Sequence, residues 1–432
     1  MNLRDRQILR IALPSIVSNI TVPLLGLVDV AITGHLGSSA YLGAIAVGGM
    51  LINVIYWLFA FLRMGTSGMT SQAFGARDLT ETVCVLLRSV LVAVGIAAVI
   101  LCLQVPVREL ALSVVAPSVE VLACARVYYN ICIWGAPAAL MLFALMGWYV
   151  GMQNSKIPML VAIVQNVANI VVSFVLVYGF QMKIEGVALG TLVAQYIGLI
   201  VAFVLLFRYY SRLRKYLLWQ FVLTKAAFLR LFQLNRDIFL RTCCLILVHF
   251  FFVSVGAKLG DTELAVNTIL MQLFTLYSYI MDGFAFACEA MVGKAIGAKN
   301  RMIYDDTIRH LFRWGWALVA LFTLAYLFFG NAFLSLLTDD TSVLQAIRVY
   351  QPWTLLLPLC GMAAFIWDGV YIGATATKGM LISMAAGMCV FFFLYFLLVP
   401  SFANHGLWIS FLCYLSVRGL TQTLMKKRVW KW

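Results

Sequence analysis

Charge is scarce in this sequence. Of its 432 residues only 11% are Asp, Glu, Lys or Arg, against 63% hydrophobic, and the mean hydropathy is +0.97. A water-soluble domain cannot hide so much apolar surface beneath so little charge, which excludes the soluble globular and disordered classes. Catalytic signatures are lacking as well. There is no Walker lysine motif, no HExxH, no paired CxxC and no nucleophile elbow, so neither ATP hydrolysis nor metal or acyl-transfer catalysis has support. Acids number 17 against 31 bases, but the net charge of +14 is not a nucleic-acid footprint. The bases gather at three places instead. Arg4, Arg6 and Arg10 precede the first apolar run; Arg208, Arg212, Arg214, Lys215, Lys225, Arg230, Arg236 and Arg241 crowd the centre; Lys426, Lys427, Arg428 and Lys431 close the chain. That is the pattern of membrane-orientation signals.

Long apolar runs are what the sequence has in abundance. They lie near 8–36, 40–65, 83–105, 119–149, 157–179, 185–209, 230–258, 263–293, 308–333, 342–374, 380–400 and 404–425. A bilayer core of about 30 Å takes about 20 helical residues to cross, so each run predicts one transmembrane helix. The ten cysteines all fall inside these runs and read as small packing residues rather than a disulfide framework. Met1 to Arg10 leads into the first run without a small-residue cleavage site, so no removed signal peptide is expected. Twelve spans return both ends to one side, and the basic connectors on that side predict cytoplasmic termini.

An internal repeat organises the twelve. Gln72-Ala73-Phe74-Gly75-Ala76-Arg77 resembles Lys294-Ala295-Ile296-Gly297-Ala298-Lys299, 222 positions later. Gly147-Trp148-Tyr149-Val150-Gly151, followed by Ser155-Lys156, resembles Gly369-Val370-Tyr371-Ile372-Gly373, followed by Thr377-Lys378, at the same offset of 222. Leu36-Gly37 matches Leu259-Gly260 at 223. Two pseudo-symmetric six-helix lobes are therefore expected, 1–209 and 230–432, joined by a basic cytoplasmic linker at 210–229, with a cleft between parallel copies.

Ionisable groups at membrane depth cost roughly 2.5–3.5 kcal/mol each and ask for a reason. Asp29 is the clearest, because no cation adjoins it and its repeat counterpart is the apolar Phe252. A rise of about 1.5 Å per residue puts Asp29 roughly 10 Å below the outer end of span one, and Ser173 and Thr191 about 9 Å below the ends of spans five and six. Asn166, Asn169 and Ser173 follow i, i+3, i+7 spacing, and Thr191 and Gln195 follow i, i+4, so two polar faces are able to converge on the carboxylate. Such a shell can hold Na⁺, or the carboxylate can carry H⁺; the bland reading of the same amides and hydroxyls is interhelical hydrogen bonding. Pro23 removes a helix hydrogen bond below Asp29 and marks a candidate hinge. In the second half Asp282 and Glu289 share a face of span eight and Asp368 lies on span ten. They suit a charge-lined cavity for cationic substrate, or else ion pairs with Arg241, Arg313 or Arg348. His249 reads as a packing residue.

Taken together, Gly26-Leu27-Val28-Asp29 with Gly34-His35-Leu36-Gly37, Asn235-Arg236-Asp237 with Arg241, and Asp282-Gly283-Phe284-Ala285 through Glu289 resemble the multidrug and toxic compound extrusion family, in its DinF-like bacterial branch, over essentially the whole chain. The resemblance implies an all-α polytopic protein of the bacterial inner membrane. It further implies a cation or proton site centred on Asp29, with Asn169, Thr191 and Tyr128 at matching positions, and a tenth-span acid at Asp368. Ser173 stands where family members with a well-formed site have a second acid, which removes a charge. The expected activity is secondary efflux of cationic or amphiphilic compounds in exchange for H⁺ or Na⁺, by a monomer without cofactor. A lipid-linked oligosaccharide flippase of the same superfold would want more cations than Arg63, Arg88 and Arg241 supply. An integral membrane enzyme and a non-catalytic scaffold are the remaining alternatives.

Overall fold

The structure, a computed structural model, describes residues 2–34, 39–115, 118–335 and 341–430. His35, Leu36 and Gly37, which carry one repeat match and part of the family stretch, lie outside the described residues, as does Lys431. The described chain is helical: α1 Leu3–Gly34, α2 Ser39–Phe59, α3 Phe61–Gly75, α4 Leu79–Cys102, α5 Gln104–Val115, α6 Val119–Cys132, α7 Ala136–Gly151, α8 Lys156–Phe174, α9 Ile184–Tyr210, α10 Trp219–Val222, α11 Lys225–Leu259, α12 Asp261–Gly297, α13 Arg301–Ser335, α14 Thr341–Gly373 and α15 Thr377–Leu424.

Eleven stretches among the described residues are long and apolar enough to cross a bilayer, and the last of them counts twice. α15 has 48 residues and would measure about 72 Å if straight, more than twice the hydrocarbon thickness. Pro400 and a non-helical Ala403 (φ 47°, ψ −125°) break it between the two runs expected there. Two other spans are composite. α2 and α3 meet at Ala60, and α6 runs through a 3₁₀ turn at Ile133–Gly135 into α7, whose first turn contains Pro137. Their counterparts α12 and α14 are continuous, although α14 carries Pro352 and Pro358.

Packing divides the chain into two compact units, one of Val17–Leu231 and one of Met1–Ile16 with Phe232–Trp432. The first turns of α1 thus group with the later helices. A Cβ on Gly283 of α12 would lie 2.4 Å from Ile16 Cγ1 and 3.0 Å from the Ala12 carbonyl oxygen, an approach only glycine permits. Arg4 also pairs with Asp306 at 3.0 Å, and Asp5 accepts from Trp314 at 3.1 Å. In the other unit, the basic connector is fastened to α4. Arg88, 2% exposed, donates to the carbonyls of Phe221 (2.6 Å) and Val222 (3.0 Å) while holding Glu81 at 2.7 Å.

The repeat is repeated contact by contact. After α3, Arg77 takes φ 59° and the Asp78 amide donates to the Ala73 carbonyl at 3.0 Å; after α12, Lys299 takes φ 52° and the Asn300 amide donates to Ala295 at 3.0 Å. Each is a left-handed C-cap closed by a six-to-one hydrogen bond. The next residue-pair starts the following helix alike, with Asp78 accepting from the Glu81 amide at 2.9 Å and Asn300 from the Ile303 amide at 3.0 Å. Where α7 crosses α3, a Cβ on Gly147 would sit 2.2 Å from the Arg63 carbonyl oxygen. Where α14 crosses α12, one on Gly369 would sit 2.4 Å from that of Ala285. Backbones approach this closely in membrane bundles because small residues, not a hydrophobic drive, hold helices together.

Candidate functional site

In the unit formed by Val17–Leu231, polar side chains from four helices meet at membrane depth. Asp29 on α1 is 8% exposed, its Oδ1 is buried without a hydrogen-bond partner, and no ion pair reaches it among the described residues. Thr33, one turn on, does not relieve it, since its hydroxyl donates to the Asp29 main-chain carbonyl at 2.8 Å. A carboxylate buried among neutral groups, with an oxygen that receives no hydrogen bond, is expensive for a fold to keep.

The side chains that the sequence spacing singled out on α8 and α9 are joined by hydrogen bonds that mostly run among themselves. Asn169 Nδ2 donates to Thr191 Oγ1 at 3.1 Å, the Ser173 hydroxyl donates to Asn169 Oδ1 at 3.2 Å, and Thr191 donates to the Val187 carbonyl at 3.2 Å. α8 and α9 touch here because Gly190 leaves room: a Cβ there would fall 2.0 Å from Ser173 Oγ. Tyr128 on α6, 5% exposed, comes within hydrogen-bonding reach of Thr191 and Cys132 and close enough to Asp29 to sense its charge. Its ring lies against Gly48 of α2, where a Cβ would be 2.7 Å from Cδ1. Cys132, read from the sequence as packing alone, belongs to this group; its position four residues after Tyr128 on the same helix face was the available signal.

Two residues expected beside them have structural partners. Asn166 Nδ2 donates to the Thr21 carbonyl at 3.1 Å, bracing α1 two residues before Pro23. Pro23 leaves α1 one continuous helix from Leu3 to Gly34. Gln195 accepts from the Tyr56 hydroxyl at 3.4 Å and fills the space left by Gly135 in the 3₁₀ turn; Tyr56 was not anticipated.

The acids of the second half behave differently. Asp368, 6% exposed, is ion-paired to Arg241 and to Arg418 Nη2 at 2.9 Å, and accepts from Gln422 Nε2 at 2.6 Å. Pairing with Arg241, the alternative weighed for this residue, is what the structure displays, while Arg418 and Gln422 were missed because sequence spacing does not tell which helices pack against α14. Glu289 is 1% exposed and Asp282 half-buried, both on α12, and each has partners. Phe252, the repeat counterpart of Asp29, packs against Trp408 and Phe411 at ring distances of 5.3 and 5.2 Å, so the second unit has an aromatic cluster where the first has its carboxylate. Arg88 and Arg241 are both committed to partners within their own units.

Known proteins agree with this architecture. The MatE family model matches residues 14–175 and 238–397, the two halves of the repeat. DNA damage-inducible protein F of Escherichia coli (strain K12) is 39% identical over 429 residues, which cover 99% of this chain and 93% of that protein. A probable multidrug resistance protein NorM of Acinetobacter baylyi is 24% identical, covering 95% of this chain and 93% of its own. Among solved structures, the Vibrio cholerae MATE transporter VcmN in its bent form has the same fold, with a TM-score of 0.87 at 18% identity over 99% of this chain and 97% of that one. Twelve membrane helices in a twofold repeat, with full-length kinship to such proteins, make this chain a member of the MatE family of multidrug and toxic compound extrusion transporters.

Proposed function

We propose that the protein is a secondary antiporter that exports cationic or amphiphilic organic compounds in exchange for H⁺ or Na⁺, with Asp29 as the group that takes up and releases the coupling ion. The observation that carries this reading is the isolation of Asp29: a buried carboxylate with an unpartnered oxygen and no ion pair among the described residues. Tyr128, Asn169, Ser173 and Thr191 complete its surroundings. Asn169, Ser173 and Thr191 are hydrogen-bonded in a chain, and their oxygens keep lone pairs, so the arrangement suits either H⁺ or Na⁺. Occupancy of Asp29 would bias two conformations of the transporter, and a few kcal/mol suffices to carry such an equilibrium across its midpoint. Pro23, six residues before it, is the proposed hinge. Asn166, Gln195, Asp282 and Glu289 are proposed to border the substrate path, with Asp368 contributing through its arginine network rather than as a free charge. The protein would act as a monomer in the bacterial inner membrane with both termini cytoplasmic, as the basic connectors indicate.

A flippase for pyrophosphate-linked lipids is disfavoured because Arg88 and Arg241, two of its three candidate cations, are neutralised or spent on carbonyls. Proteoliposomes loaded with a fluorescent organic cation, with pH and Na⁺ gradients imposed separately, test the proposal. Export driven by one of the two gradients and lost in Asp29→Asn is expected. Transport by Asp29→Asn at the wild-type rate under both gradients would remove Asp29 from the mechanism.

A further inference from the structure

The unit containing the C-terminal helices holds a cavity of about 710 Å³. It is lined by the first turns of α13 and by the short segment that follows α15, with Trp367 of α14 at its side. Four cations, Arg301, Arg309, Lys426 and Lys427, face one carboxylate, Asp305. Arg301 is partly matched by Asp305 at 3.6 Å and lies 6.0 Å from the ring centroid of Trp430. Arg309, Lys426 and Lys427 have no ion-pair partner among the described residues. The rest of the wall is Ile308 and four aromatics, with Tyr304 and Trp430 in contact at 5.0 Å and Phe312 and Trp367 at 5.5 Å. Trp367 adds an independent sign: its indole Nε1 is buried and has no acceptor among the described residues.

An excess of unpaired cations and an unanswered N–H ask for an anion rich in acceptor oxygens. The aromatic wall asks for an apolar body beside it. Tryptophans, tyrosines and bases at the ends of membrane helices occupy the headgroup layer, and basic pockets between helices there take lipid phosphates. The volume is in the range that encloses a ligand of headgroup size. We propose that this cavity binds the phosphate of an acidic phospholipid, seating its headgroup between the start of α13 and the C-terminal segment. The proposal does not depend on which ion drives transport.

The test uses the full chain, purified in detergent and titrated with phosphatidylglycerol, with phosphatidylcholine of the same acyl chains, or with inorganic phosphate, and bound ligand is counted by native mass spectrometry. Tighter binding of phosphatidylglycerol than of phosphatidylcholine is expected. Lys426→Ala with Lys427→Ala, both exposed, should weaken phosphatidylglycerol about fivefold per lysine. Removal of the same charge from the connector, Arg214→Ala with Lys215→Ala, should leave it unchanged. Trp367→Phe, which keeps an aromatic ring but deletes the indole N–H and part of the aromatic area, should weaken it further. Equal binding of the two lipids, or equal losses in the tail and connector variants, would overturn the proposal. Displacement of phosphatidylglycerol by inorganic phosphate at matched concentrations would overturn it in favour of a soluble phosphate ester.

Discussion

Two buried aspartates, each replaced by asparagine, should fail in opposite ways. Asp368 is the counter-charge shared by Arg241 and Arg418, which are 8% and 4% exposed, and Asp368→Asn keeps its shape while removing that charge from both guanidiniums. Breaking a buried ion pair from one side costs roughly 3–5 kcal/mol. For a unit of roughly 200 residues, at roughly 2–4 °C per kcal/mol, the melting temperature should drop by roughly 6–20 °C. Asp29→Asn orphans no cation, because Asp29 has no ion pair among the described residues, and it exchanges a buried charge for a neutral amide. Its melting temperature should equal or exceed that of the wild type while gradient-driven export is abolished. Purified full-length variants would be melted in the same detergent and their transport measured in proteoliposomes. An equal loss of stability in both variants would show that Asp29 holds the fold, and the assignment of Asp29 to ion coupling would fail.

Three further outcomes follow from the packing. Arg88→Ala should release the carbonyls of Phe221 and Val222 and speed protease cleavage within residues 210–224, at about 1.5–3 kcal/mol per charged hydrogen bond; Arg88→Lys, lacking the planar fork, should not restore protection. Gly190→Ala should cost about 1–3 kcal/mol by driving a methyl into Ser173 Oγ, and adding Ser173→Ala should recover part of the loss in a thermal melt. Asn267 and Asn404 exchange two amide hydrogen bonds, at 2.8 and 2.9 Å, beside the break at Ala403. The double variant to alanine should therefore lose less stability than the two single losses added together, with a coupling of about 0.5–3 kcal/mol in a thermodynamic cycle.

Composition and periodicity alone determined that the chain crosses a bilayer twelve times in two related halves. That information is local: a run of about 20 apolar residues must span, wherever its neighbours lie, and an offset of 222 between matching blocks survives as matching helix caps and glycine contacts. Even the break in α15 was legible, since Pro400 and the polar Asn404 and His405 interrupt the run there. The spacing of Asn169, Ser173 and Thr191 likewise placed them on facing helices. Partnership was legible only as one alternative among several, as for Asp368 with Arg241. Asp29 and Asp368 look alike in sequence, each a lone acid in an apolar run, and only the folded chain distinguishes them. Arg241 and Arg418 stand 127 and 50 residues from Asp368 and meet it through helix packing. Depth in the membrane is written along one helix; the choice between a paired and an unpaired charge depends on which other helices pack against it.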